Sequence, residues 1–199
     1  MWVVVVNPRR LLSTLTMTLI LAACGDSGPG GTTNGAHPDC ECVVDEDQQG
    51  VPPDIPACVE LTCPVVRAEL CYGCDEGTTG EPETGGVEVD PSALDCALTA
   101  LRDRSPGLLQ WELDIDSGYG FDGGYVLIKE DGRAIVRTWS WLDLGGETQA
   151  AVLGELPASS EFDACLALDD EEQRFECLRS TSVSSELVCD GRWDSSSNF

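Results

Sequence analysis

The spacing of apolar and polar positions changes several times along this chain. Leu11 to Ala22 is an apolar run of 12 residues, interrupted only by hydroxyl side chains. Residues 25–39 carry almost no apolar side chains and cannot build a core. Leu94, Ala97, Leu98 and Leu101 recur at i, i+3, i+4 and i+7, which is one face of a helix. Asp90-Pro91-Ser92 supplies its start, since Asp or Ser can cap and Pro suits the first helical position, and Pro106-Gly107 ends it. Gln110 to Asp116 then alternates. Trp111, Leu113 and Ile115 point one way and Glu112, Asp114 and Asp116 the other, as in a half-buried strand with one acidic face. Tyr125 to Lys129 and Arg133 to Leu142 read as two more strands, joined by a hairpin turn at Asp131-Gly132. Gln149 to Leu156 reads as helical, with Gly154 a weak point. Two further helices run from Ser160 through Leu168 and from Asp169 through Arg179.

This pattern predicts an α+β fold in two parts. Residues 40–74 form a small disulfide-rich module, too short for a hydrophobic core of its own. Within it, Val65 to Leu70 is too brief to separate a helical turn from a short strand. Residues 75–90 are an acidic Gly/Thr/Pro linker. Residues 91–193 form the larger domain, an antiparallel sheet of about three strands flanked by helices, and residues 194–199 a disordered tail.

The start of the chain has the anatomy of an export signal. Arg9-Arg10 gives a positive region, Leu11 to Ala22 the apolar region, and the small residues Ala22 and Ala23 precede Cys24. The run is too short for a permanent transmembrane helix, which needs about 20 residues. Leu21-Ala22-Ala23-Cys24 resembles the lipobox of bacterial lipoproteins. The resemblance covers the export segment alone. It implies a signal peptide over residues 1–23 and acylation of Cys24, whose lipid chains then enter the bilayer. Residues 24–39 become a flexible tether with a root-mean-square span of roughly 20 Å. With Gly25 after the cysteine, it also implies an extracytoplasmic protein sorted to the outer membrane. The composition of the body resembles that of myxobacterial lipoproteins.

Export changes the meaning of the cysteines. Of 11, Cys24 is set aside for lipid, and ten remain in a compartment that permits oxidation. Cys40, Cys42, Cys58, Cys63, Cys71 and Cys74 form one cluster, and Cys96, Cys165, Cys177 and Cys189 another. The simplest expectation is three bridges within the first cluster and two within the second, with connectivity open. Cys71-x-x-Cys74 also has the spacing of a redox pair or half a zinc site. It is followed by a linker rather than a helix, and the lone histidine, His37, lies in the tether, so both rivals rank below disulfides.

Charge narrows the partners. The chain carries a formal charge of −25, and removing the leader takes away Arg9 and Arg10 and no acids, leaving about −27. This argues against nucleic acid, which needs a basic patch, and against lying on an anionic lipid surface. Ser-His-Asp or Cys-His chemistry lacks a suitably placed base. No phosphate-binding loop is present. Two strings retain candidate chemistry. In Asp114-Ile115-Asp116-Ser117-Gly118-Tyr119-Gly120-Phe121-Asp122-Gly123, the carboxylates of Asp114, Asp116 and Asp122 suit a hard cation such as calcium, although the string departs from the EF-hand template. Trp139 and Trp141 share a strand face and could serve as an aromatic platform for an envelope protein or glycan; packing of a tryptophan with Trp111, Leu113 and Ile115 in the core is the plainer expectation. The reading that results is a membrane-anchored binding module at the cell envelope, with no catalytic residue assigned. Its alternative is a carboxylate-based hydrolase or a calcium-binding protein.

Overall fold

In the computed structural model, the described residues are 37–43, 56, 58–70, 87–115, 118–143 and 145–196, with the side chains of the last four residues left aside. They belong to one compact unit, Gly35–Phe199. Nine strands among them form one mixed sheet: β1 (Val66–Leu70), β2 (Val87–Val89), β3 (Gly107–Ile115), β4 (Gly120–Ile128), β5 (Arg133–Leu142), β6 (Gly145–Thr148), β7 (Val152–Glu155), β8 (Ser184–Val188) and β9 (Trp193–Ser196). The helices are α1 (Pro91–Asp103), α2 (Ser159–Leu166) and α3 (Glu171–Arg179). The fold is α+β as expected, with a sheet much larger than three strands.

The sheet is built on the meander β3-β4-β5, antiparallel throughout. On one side, β1 joins β3 in parallel and β2 closes the edge. On the other side, β5 is shared. Its first half pairs with β7 and its second half with β6, and these carry β8 and β9.

The predicted helix at Asp90 is α1. Its cap is Asp90, whose Oδ1 accepts from the amides of Ser92 and Ala93 at 2.9 and 3.3 Å. It ends at Arg104, which adopts left-handed backbone at φ 51°. Its guanidinium donates to the carbonyls of Gly132, Leu156 and Pro157, tying the helix end to the β4–β5 turn and the segment after β7. The expected helix over Gln149 to Leu156 is instead the strand β7. Gly154 explains the difference: a Cβ there would lie 1.8 Å from the Ser184 carbonyl oxygen. The residue that weakens a helix is the one that lets β8 approach. Ser196 and its three predecessors, placed mostly in the tail by composition, form β9.

All three helices cover one face of the sheet. Leu94, Leu98 and Leu101 of α1, Phe162 of α2, and Phe175 and Leu178 of α3 meet Leu109, Trp111, Leu113, Val126, Ile128 and Val136 in a single core. Each such buried side chain is worth about 1.5–3 kcal/mol. The opposite face has a second core, where Tyr125, Leu127, Ile135, Trp139 and Leu153 meet Cys40, Val43 and Cys189.

The bridges correct the expected partition of cysteines. Cys42 pairs with Cys58 and Cys165 with Cys177, each within its cluster. Cys40, however, pairs with Cys189, and Cys63 with Cys96. Residues 40–74 are therefore not a module apart. Two covalent links and strand β1 build them into the same sheet and cores. Cys71 and Cys74 lie outside the described residues. Four bridges among the described residues suggest an oxidising, extracytoplasmic location.

Candidate functional site

Among the described residues, only half of the second face is covered. At the end holding Leu127 and Ile135, the segment 37–43 lies across the sheet, held by the bridge from Cys40 to Cys189. Asp39 anchors it further: Arg133 Nη2 donates to Asp39 Oδ2 at 3.1 Å, and Lys129 Nζ donates to the Asp39 carbonyl at 2.6 Å. The Arg133 guanidinium holds the Asp39 carboxyl below the usual carboxylate range. Beside this, Arg137 on β5 forms an ion pair with Asp190, next to Cys189. Their side chains are 4 % and 3 % exposed. Tyr125 lies against them, and burial pushes its phenol up to about 12. A hollow of about 520 Å³ lies between this segment and the β4–β5 turn, but its charged wall is taken up by Asp39, Lys129 and neighbouring acids.

The other half of this face is open, and strand register decides what it displays. Glu88 of β2 stands opposite Glu69 of β1, Glu69 beside Asp114 of β3, Asp114 opposite Phe121 of β4, and Phe121 opposite Trp141 of β5. Residues paired across strands share a face, so one row crosses five strands as three carboxylates followed by two aromatic rings. Glu69, Glu88 and Asp114 are exposed, while Phe121 and Trp141 are half-buried. In the next row, Arg67 Nε donates to Glu112 Oε2 at 3.2 Å, and Gln110 Nε2 to Glu112 Oε1 at 2.9 Å.

Two concavities meet on this surface. A groove of about 320 Å³ runs along Phe121 and Trp139, walled by Gln110, Glu112 and Asp114. Its lining is mainly apolar. Gly123 permits it, because a Cβ there would lie 2.4 Å from the Trp139 indole. The second is a shallow ledge of about 490 Å³ over β1, β2 and β3 that shares Glu112 and Asp114 with the groove. It is lined by Glu69, Glu88, Asp90, Glu112 and Asp114 against one base, Arg67.

The chain matches no family model, no curated protein and no solved structure.

The expected site residues fall as follows. Cys24 and Asp116 lie outside the described residues. Asp114 and Asp122, read together as cation ligands, stand on opposite faces of the sheet. Asp114 accepts from the Gly118 amide at 2.6 Å on the open face, and Asp122 accepts from Arg179 of α3 at 3.1 Å on the helical face. Among the described residues no group of three or more ligating side chains gathers. Trp139 is 4 % exposed and belongs to the second core, whereas Trp141 lies over Gly146. Trp111 does not pack with Trp139; it lies on the helical face, edge-on to Phe175 at 6.0 Å and beneath Arg179.

A smaller cavity of about 180 Å³ on the helical face involves Trp111, Asp122, Ser140, Glu147 and Arg179. Burial raises the Asp122 carboxyl above its ordinary range, while the Arg179 guanidinium opposes that shift. Glycoside cleavage places two carboxylates across the bond that breaks. The partner of Asp122 is a guanidinium, so its geometry clamps α3 to the sheet.

Sequence reading missed Phe121, Glu69 and Glu88 as site residues. The acidic face of β3 was visible in the alternation of 110–116. Phe121 was hidden by the flanking glycines, which make 117–124 resemble a loop.

Proposed function

We propose that this protein is an exported, lipid-anchored binding module that engages a partner at the cell envelope through the open half of its sheet. Acylated Cys24 holds it to the bilayer, residues 25–36 act as the tether, shorter than the expected 25–39 because Asp39 is fixed to Lys129 and Arg133, and the groove beside Phe121 and Trp139 is the binding surface. The observation that carries this reading is the division of one sheet face into a half sealed by Cys40–Cys189 and a half that leaves Phe121 and Trp141 part-exposed beside a groove. Apolar grooves with a few convergent polar groups are the usual form of a binding site. The net charge favours a partner other than nucleic acid or an anionic surface.

Two measurements test the reading. Replacing Cys24 with Ala is expected to abolish lipid labelling and release the protein from the membrane fraction; unchanged labelling removes the anchor. A photoreactive side chain at position 121 is expected to give discrete adducts in intact envelopes that the same group at exposed Leu168, at the end of α2, does not. Matching adduct patterns from both positions would remove the groove as the binding surface.

A further inference from the structure

We infer that the occupant of the open face is an extended, lysine- or arginine-bearing polypeptide segment, which sets an apolar side chain in the Phe121–Trp139 groove and its cations along the Glu88–Glu69–Asp114 row. The inference rests on the reading of this face as the binding surface and adds the chemistry of the partner.

The row itself is the first argument. Like charges placed directly opposite on neighbouring strands destabilise a sheet. Here Glu88 faces Glu69, and Glu69 stands beside Asp114, so three carboxylates are in register on adjacent strands. Their ledge holds five acids and one base. A ledge of that composition is complementary in charge to a cationic segment and repels an anionic one.

Shape is the second argument. A sugar ring stacks on a broad, exposed aromatic face. Trp139 is 4 % exposed and Phe121 half-buried, so the groove offers ring edges and a slot rather than a platform. A slot between rings accepts a single apolar side chain.

Spacing is the third. Neighbouring strands lie about 4.8 Å apart, so the three steps from Glu88 to Phe121 span about 14 Å. Four residues of extended chain span about 13–14 Å. Side chains alternate along such a chain, so the first, third and fifth residues face the sheet together. A segment with cations at the first and third positions and an apolar residue at the fifth matches carboxylates and groove in one pass.

The test uses the oxidised full-length protein in detergent, with isotope-labelled tryptophan, and an end-blocked pentapeptide, Lys-Ala-Lys-Ala-Phe. The peptide is expected to shift the indole resonances of Trp139 and Trp141. Affinity should weaken by roughly tenfold as ionic strength rises from about 0.02 M to about 0.5 M. Glu69→Gln with Glu88→Gln should weaken it about five- to tenfold, at roughly half a kcal/mol or more for each exposed charge. Glu-Ala-Glu-Ala-Phe should not bind. Equal binding of the two peptides, or of Lys-Ala-Lys-Ala-Phe to the wild type and the double variant, overturns the cationic partner. If a neutral oligosaccharide moves the same indoles while the lysine peptide does not, the cationic partner fails and the groove stands. If neither moves them, and adducts at position 121 are also absent, both fail.

Discussion

The two faces of the sheet are covered by different means. On the helical face, α1, α2 and α3 bring a continuous apolar surface, and Leu94, Leu98, Leu101, Phe175 and Leu178 are almost wholly buried. Burial, at about 25 cal/mol per Å², is the main force on these elements, and the Cys63–Cys96 and Cys165–Cys177 bridges and the Arg179–Asp122 pair add to it. On the other face the cover, among the described residues, is a short 3-10 turn, Pro38–Cys40, and the residues up to Val43, with little apolar surface to contribute. It is held by the Cys40–Cys189 bridge, the Arg137–Asp190 pair and the contacts of Asp39 with Lys129 and Arg133. A helix covers the length of the strands it packs on, but a stapled turn covers only what it can reach. The open half of the second face follows from that difference.

The comparison breaks most visibly if the staples are removed and the helices are not. Asp190→Ala leaves the Arg137 guanidinium buried without its carboxylate, and losing one partner of a buried pair costs about 3–5 kcal/mol. Chemical denaturation should show that loss. Hydrogen exchange should rise first in residues 37–43 and 187–190, with α1 protected until global unfolding. Loss of protection in α1 at the same rate would mean that the two covers are a single cooperative unit. Replacing Cys40 and Cys189 with Ser removes a link spanning 149 residues and should cost about 2–5 kcal/mol. Trp139 should then become accessible to a collisional quencher and Trp111 should not.

Much of this asymmetry could be read from local pattern, and the part that could not has a common cause. The alternation of Gln110 to Asp116 assigns Trp111 and Asp114 to opposite faces, and each holds its place in β3. Asp90 and Asp131-Gly132 mark their element boundaries through local hydrogen bonds, whereas α3 is capped by Asp170, one residue after the expected Asp169. What escaped is non-local. Trp111 and Trp139 each sit on an alternating strand, but only the register through β4 puts them on opposite faces. The pairing of Cys40 with Cys189 depends on where two distant segments meet on the sheet, which cysteine spacing does not encode. β2, β6 and β7 have three or four residues each, too few for a period to emerge. The acidic row is of the same kind. Its three carboxylates come from three segments of sequence, and register alone brings them together.

Proton binding sharpens the contrast at the sealed half. The Tyr125 phenol is pushed up to about 12 by burial, against an ordinary value near 10. Between those values the unfolded chain has lost the proton and the folded chain has kept it. Stability is therefore whole below pH 10 and falls as pH rises toward 12, by roughly 3 kcal/mol at about 1.4 kcal/mol per unit. Denaturation midpoints across this range should fall steeply in the wild type and less in Tyr125→Phe, which keeps the ring and removes the titrating group. An unchanged slope in the variant would show that the loss arises elsewhere.

The smallest expected effect is the most telling for the open half. Glu88→Gln changes an exposed side chain on an edge strand and removes one of two carboxylates that face each other across β1 and β2. Relief of a like-charge pair is worth about 0.2–1 kcal/mol, so the variant should be slightly more stable than the wild type, with a higher denaturation midpoint at low salt and no difference at high salt. A carboxylate kept for the fold would give the opposite sign. Stability gained and affinity for the lysine peptide lost, in the same variant, would mean that the row is maintained at a cost to the folded state because something outside the chain uses it. A loss of stability would instead place Glu88 among the contacts that hold β2 to the sheet, and the acidic row would become an accident of register.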